Sequence, residues 1–247
     1  MKIAVAGATG RVGRHVVDVL HERGDEAVAI SRANGVDVIT RKGLDAALAG
    51  VEVIIDTATG PSPEQQPATE FFMTATRNLH AAGQRTGARR IVVVSIIGID
   101  GSTVGYNAAK VAHEQAMLDG PIQAQILRAA QFHEFVEQLV AWGTQGDVAY
   151  VPAMRTQLVA ARVVAEQLVE LATGPGASGT PIPEVAGPRE ERLADAARLL
   201  AARRGAPARV EEVSDAANPD HDQFENGGLL PGPHATLAGP TYADWLR

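Results

Sequence analysis

The chain has 247 residues, 45% of them apolar and 21% charged. That is enough to bury a full core as one large α/β domain or one domain with an appendage, and it argues against disorder. The absence of cysteine excludes a disulfide framework and a thiolate metal site, and a net charge of −7 argues against the basic footprint of a general nucleic-acid binder.

No uninterrupted apolar stretch approaches the ~20 residues of a membrane helix. The apolar run before Gly7 is too short for a signal-peptide core. A cytoplasmic protein without membrane, nucleic-acid or metal partners is therefore expected. Lysine occurs only at positions 2, 42 and 110.

Taken in chain order, Ile3–Ala6 reads as a strand and 12–22 as an amphipathic helix, with Val12, Val16, Val17, Val19 and Leu20 on its apolar side. Ala27–Ile30 is a strand ending at Ser31-Arg32, Val36–Ile39 a short strand, and 43–49 a short helix. Val51–Thr57 is a further strand, followed by a loop punctuated by Pro61, Pro63 and Pro67 and a helix over about 69–86. Arg90–Ile97 is the most apolar strand, reading as buried on both faces. A helix over about 105–118 and a strand at Ala124–Ala129 follow. Strands alternating with helices predict a Rossmann-type, doubly wound parallel sheet.

Beyond Gln131 the pattern loosens. A helix is expected at 133–142, a strand at Val148–Val151, and a helix within 159–173 that stops at Gly174-Pro175. Pro181–Ala186 reads as a strand, 189–204 as a helix, and Ala208–Val213 as a last strand. The tail from 215 to 247 is rich in Gly, Pro and Asn and has no clear period. Acid is concentrated at Glu211, Glu212, Asp215, Asp220, Asp222 and Glu225, which reads as a solvated surface segment. The division expected is a dinucleotide-binding core over 1–131 and a small substrate-covering region over 132–247, partly integrated with the core sheet. Monomer and homodimer are both left open.

Three features carry chemistry. The first is Gly7-Ala8-Thr9-Gly10-Arg11-Val12-Gly13, set between the first strand and the first helix. Glycines there make the turn, let a pyrophosphate approach the backbone and let the helix pack on the strand. The helix N-terminus then offers N–H groups and a positive dipole end to the phosphates. Among 25 glycines such a triplet carries weight only through this position.

The second is Ser31-Arg32 at the end of the second strand. An acidic residue there would bind the ribose hydroxyls of NAD, whereas arginine accommodates a 2′-phosphate, so NADP(H) is expected. Arg11 is a second candidate cation.

The third is Tyr106 with Lys110, four residues apart on one helix face, and Ser95 at the end of the strongest strand. A lysine ammonium near a phenol would lower its pKa and make it a proton donor. Ser95 would hydrogen-bond an oxygen on which charge develops during hydride transfer. His113, three residues past Lys110, reads as an ordinary helix residue. His133 reads more readily as a surface or capping residue than as a catalyst. Phe132, Phe135, Trp142 and Tyr150 suit either an apolar pocket or plain packing.

These residues carry a resemblance. With Val92–Ile99 and Leu127–His133 they make the chain similar to short-chain dehydrogenase/reductases of the atypical, NmrA-like kind, close to bacterial NAD(P)H-binding quinone oxidoreductase-like proteins. The likeness runs from the first strand to about residue 213. It implies NADP(H) held by the glycine turn and Arg32, with the adenine near Asp37 and Val38. Thr57, Ala58 and Thr59 would pass beneath the cofactor, and Lys110 would bind the nicotinamide ribose. The substrate would sit between Ser95, Tyr106 and the segment Gln131, Phe132, His133. The function implied is an NADP(H)-dependent oxidoreductase acting on a small, largely apolar carbonyl, quinone or enone. A non-catalytic NADP(H) sensor is the alternative, and a sugar-nucleotide epimerase or dehydratase ranks third because that class usually runs longer.

Overall fold

Apolar runs that bury on both faces set the architecture. In the computed structural model, which describes residues 1–175 and 181–247, β1 (Lys2–Ala6) is buried from Ile3 onward. It pairs in parallel with β2 (Glu26–Ile30) on one side and β3 (Val53–Asp56) on the other. The register sets Ala6 beside both Ile30 and Asp56. β3 pairs in parallel with β4 (Arg90–Ile96), and β5 (Gln123–Ala129) follows, so that these five of the sheet's seven described strands run in the order β5-β4-β3-β1-β2. This is a Rossmann-type α/β fold, a parallel sheet flanked by helices. The chain reverses direction across the sheet between β1 and β3, the switch point at which such folds bind ligands beyond the strands' carboxyl ends.

The described residues divide into two compact units that interleave along the chain. The first comprises Met1–Ser95, Val104–Arg128 and Val164–Ile182; the second comprises Ile96–Thr103, Ala129–Val163 and Pro183–Arg247.

In the first unit α1 (Gly13–Glu22) buries Val16, Val19 and Leu20. The short α2 (Leu44–Ala47), the long α3 (Gln65–Thr86) and α4 (Gly105–Leu118) follow. Leu44, Ala75, Leu79, Ala82 and Met117 from these helices join Ile54, Ile91 and Val93 of the sheet in one core. α3 starts four residues earlier than expected because Pro67 sits in its first turn, where a missing N–H costs nothing.

Val36–Ile39 is not a strand, so the fifth strand expected from the sequence is the fourth in the structure. Side chains satisfy that backbone instead. Ser31 caps a 3₁₀ turn over Arg32–Asn34. Asp37 Oδ1 accepts from the Ile39 N–H at 2.8 Å. Asn78 Nδ2 donates to Val38 O at 2.8 Å and Ile39 O at 2.9 Å.

The second unit holds α5 (His133–Gly143), β6 (Thr144–Gln145), β7 (Val148–Pro152) and β8 (Arg155–Thr156). α6 (Ala161–Thr173) follows, its residues from Val164 on belonging to the first unit. There the buried Arg90 donates to Leu171 O at 2.9 Å and Gly174 O at 3.0 Å, placing a cation on the carbonyl end of α6.

β9 (Glu184–Ala186), β10 (Glu191–Arg192), α7 (Leu193–Arg204) and β11 (Arg209–Val213) come next. α7 starts later than expected because β10 pairs antiparallel with β8. β11 runs parallel to β7. Val136, Val140, Ala149, Val151, Leu193, Ala197 and Leu200 form the core of this unit.

The tail supplies α8 (His221–Glu225), β12 (Thr236–Leu237), which pairs in parallel with β9, and α9 (Tyr242–Trp245). The acidic run is not wholly a solvated surface. Asp220 is buried and accepts from Thr103 N at 3.1 Å and Thr103 Oγ1 at 3.1 Å, while Glu212 pairs with Arg192. Among the described residues no helix is long and apolar enough to cross a membrane.

Candidate functional site

The glycine turn lies where β1 gives way to α1. Gly7 has φ +77°, and its N–H donates to Ile30 O at 3.0 Å, while Gly10 N–H donates to Gly7 O at 2.8 Å. A Cβ at Gly13 would stand 2.1 Å from Gly7 O, and one at Gly7 would stand 2.8 Å from the Ala58 backbone. No side chain can be added at either position without moving backbone. No side chain caps α1, and no acidic residue lies in its first turn. Its positive end is therefore left for an anion. Thr9 and Gly10 are exposed at the turn, Ala8 and Val12 are buried beneath it, and Arg11 is half-buried.

At the end of β2 Ser31 is occupied by Asn34, donating to its Oδ1 at 2.9 Å and accepting from its N–H at 3.3 Å. Arg32 is exposed, and its guanidinium has no hydrogen-bond or ion-pair partner among the described residues. Asp37 and Val38 sit in the loop that Asn78 tethers. Across the switch point Thr57 Oγ1 donates to Ala6 O at 2.8 Å, and the Ala58 N–H donates to Oδ1 of the buried Asp56 at 2.9 Å. Thr59 Oγ1 lies 3.0 Å from the Tyr106 hydroxyl. One continuous segment, Asp56–Thr59, thus links the glycine turn to the tyrosine.

Ser95 is buried near the end of β4, and its Oγ has no hydrogen-bond partner among the described residues. On α4, Lys110 is buried and donates to Val94 O at 2.8 Å. Its Nζ lies 2.9 Å from His113 Nδ1 and 4.7 Å from the centre of the Phe72 ring. The Phe72 and His113 rings stack at 4.4 Å and 11°.

Burial pushes Lys110 down to about 8, opposed by the charges of Asp56 and Glu114. Burial and then the Lys110 charge push His113 down to about 4, opposed by Asp56. Tyr106 is raised by burial, partly offset by its bond to Thr59. This differs from the expectation of a phenol acidified by lysine: the amine bonds to Val94 O and His113, and the phenol pairs with Thr59.

In the second unit Gln131 Oε1 accepts from Thr156 Oγ1, and Phe132 forms an isolated parallel bridge with Val159. His133 is neither a surface residue nor an open ligand. It is fully buried, with Nε2 3.1 Å from Leu158 O and its ring against Tyr242 and Trp245 of α9. Burial pushes it down to about 4. Phe135 and Trp142 meet edge to face at 6.0 Å, and Trp142 and Tyr150 are exposed.

A family model described as NAD(P)H-binding matches residues 7–136, slightly more than half of the chain. The chain belongs to the NAD(P)H-binding family. No curated protein matches the sequence.

Solved structures with the same fold include MoeE5 in complex with UDP-glucose and NAD, at TM-score 0.72 and 16% identity, covering 100% of this chain and 99% of that one. The UDP-N-acetylglucosamine 4-epimerase from Bacillus cereus aligns with TM-score 0.68 and 16% identity over 99% of this chain and 93% of that one. An NADPH-dependent quinone oxidoreductase from Escherichia coli aligns with TM-score 0.65 and 18% identity over 99% and 98%.

The residues present fit the dinucleotide of this NAD(P)H-binding family. The turn leaves no room for a Cβ at Gly7 or Gly13, the N-terminus of α1 has no side-chain cap, and a buried serine hydroxyl waits without a partner. Three residues gain importance over the sequence reading. Asp56 was signalled as the single charge closing an apolar strand. His113 was signalled by its spacing from Lys110. Asn78 had no local signal beyond its place on α3.

Proposed function

We propose that this NAD(P)H-binding protein is an NADP(H)-dependent oxidoreductase acting on a small, largely apolar carbonyl, quinone or enone. The observation that supports this reading is the Thr59–Tyr106 hydroxyl pair together with Lys110, bonded to the carbonyl of Val94 next to the unpartnered Ser95 in β4, in a chain with a dinucleotide-binding fold.

In this reading the turn from Gly7 through Ala8, Thr9, Gly10, Arg11 and Val12 to Gly13 binds the pyrophosphate. Arg32 takes the 2′-phosphate, and Ser31 holds the arginine's turn in shape. Asp37 and Val38 flank the adenine, fixed from behind by Asn78, while Thr57, Ala58 and Thr59 floor the site. Lys110 holds the nicotinamide ribose with the N–H that neither Val94 O nor His113 uses. When bound, the reduced nicotinamide supplies a hydride.

Ser95 Oγ donates to the oxygen on which negative charge grows. Tyr106, kept protonated at neutral pH by burial, holds the transferable proton at its hydroxyl, with Thr59 orienting it. Gln131 and Phe132 remain candidates for the substrate side. His133, enclosed by Leu158, Tyr242 and Trp245, is left to packing.

One observation favours hydride transfer without an enzymic acid: Lys110 is bonded to Val94 O and His113 rather than to the phenol, so nothing acidifies Tyr106. A quinone, whose reduced form takes protons from water, suits that arrangement best.

The test is NADPH consumption, followed by absorbance, against a panel of quinones, ketones and enones. Turnover with one class supports the enzyme and names its substrate. Tight NADPH binding with no turnover against any class would favour the sensor.

A further inference from the structure

His113 is buried, polar and unused by the chemistry above. Its Nδ1 lies 2.9 Å from Lys110 Nζ, and an ammonium only donates, so Nδ1 accepts and the ring proton resides on Nε2. Nε2 lies 3.5 Å from Asp56 Oδ2, and the other oxygen of Asp56 holds the Ala58 N–H at 2.9 Å. The row Asp56–His113–Lys110 therefore runs from the floor of the glycine turn to the buried ammonium. Phe72 closes one side, stacked on the imidazole and 4.7 Å from Nζ.

We propose that His113 is the positioning residue of Lys110: it holds the ammonium on Val94 O and couples it to Asp56, so that the lysine stays charged in a dry site. The functional consequence rests on the assignment of Lys110 to the cofactor.

The groups facing the pair are few. Asp56 comes from β3, and Glu114 from α4 is itself bound to Arg128 at 2.7 Å. Tyr106 lies one turn back on α4, α3 contributes the uncharged Phe72 together with His80, which feels Asp56, and β4 contributes the Val94 carbonyl. Burial alone disfavours the ammonium; the two carboxylates favour it. A neutral imidazole accepts from Lys110 at Nδ1 and leaves its Nε2–H facing Asp56 Oδ2 at 3.5 Å, a contact longer than a full hydrogen bond. Because it is far harder to protonate than the amine, it does not compete for the proton.

The test uses the three lysines of the chain. Lys2 and Lys42 lie outside this cluster, so isotope-labelled lysine gives three amine signals, one of which is Lys110. In the parent that signal should titrate near 8. His113→Phe keeps a flat ring on Phe72 but removes both nitrogens. We expect it to lower the Lys110 midpoint by about one unit or more, since a hydrogen bond to a charged group is lost. The pH above which NADPH affinity falls should move down with it. His113→Gln, whose amide both accepts and donates, should restore most of the midpoint.

A folded His113→Phe protein with an unchanged Lys110 midpoint would overturn the proposal and leave His113 as packing. If that variant does not fold, the ring-nitrogen shifts of the parent decide. A neutral imidazole at pH 7 with its proton on Nε2 supports the proposal, and a proton on Nδ1 or an imidazolium overturns it. NADPH should also shift the Lys110 signal of the parent. A silent Lys110 signal under saturating NADPH would overturn the cofactor assignment, even where the midpoint still follows His113.

Discussion

Lowering the pH should destabilise this protein through its buried histidines. His113 and His133 are both enclosed, and burial holds each near 4 against an ordinary value of 6.5. The native state therefore refuses a proton that the unfolded chain accepts, so stability is complete above about pH 6.5 and drains away as the pH falls toward 4.

A difference of about 2.5 units corresponds to about 3 kcal/mol per histidine when fully developed. At about pH 5 the loss is about 2 kcal/mol each, or about 4 kcal/mol for the pair, a large part of the 5–15 kcal/mol typical of a domain. His80, also lowered by burial, adds in the same direction. Urea unfolding at several pH values between about 7.5 and about 5 measures this directly through the linkage slope. His133→Gln should remove about one proton's worth of the slope, and the double variant with His113→Gln about two. A urea midpoint that stays flat over this range, or a slope unchanged in the double variant, would refute the reasoning.

Four substitutions test the site. Gly13→Ala places a Cβ 2.1 Å from Gly7 O, so NADPH binding measured by calorimetry should be lost, with a stability cost of about 1–3 kcal/mol. Arg32→Ala should weaken NADPH by about 1.5–3 kcal/mol and leave NADH unaffected in the same titration. Asn78→Ala strands two carbonyls at Val38 and Ile39; about 1–3 kcal/mol should be lost in urea unfolding, together with some NADPH affinity. Tyr106→Phe should keep cofactor affinity while turnover of a carbonyl substrate falls by ~10²–10⁴ in steady-state assays; with a quinone the loss should be only a few-fold.

Much of the first unit was legible because its strands are continuous apolar runs broken by glycine. β1, β2, β3, β4 and β5 lie within a few residues of their expected places, and α4 over Gly105–Leu118 matches the expected span. Val36–Ile39 misled because β-branched residues suggest a strand, whereas Asp37 and Asn78 satisfy that backbone from the side. Asn78 lies some forty residues away, beyond any local pattern. The tail was unreadable for a similar reason: Asp220 and Gln223 bind Thr103 and Ser102, more than a hundred residues earlier.

At the site, spacing put Tyr106 and Lys110 on one helix, but it did not fix where the amine points. That direction is set by Val94 O and His113, through a rotamer no sequence period encodes. His133 was misjudged because a histidine at the start of a helix is usually wet, whereas α9, from the end of the chain, covers this one.

The central claim, that the glycine turn and Arg32 form a site for NADP(H), is tested most directly by calorimetric titration of the purified chain with NADPH and, separately, NADH. The account predicts saturable binding of one equivalent of NADPH, at least tenfold tighter than NADH, from one charge-assisted phosphate contact of about 1.5–3 kcal/mol. Binding of neither dinucleotide would contradict the site itself, and equal or tighter binding of NADH would contradict the role given to Arg32.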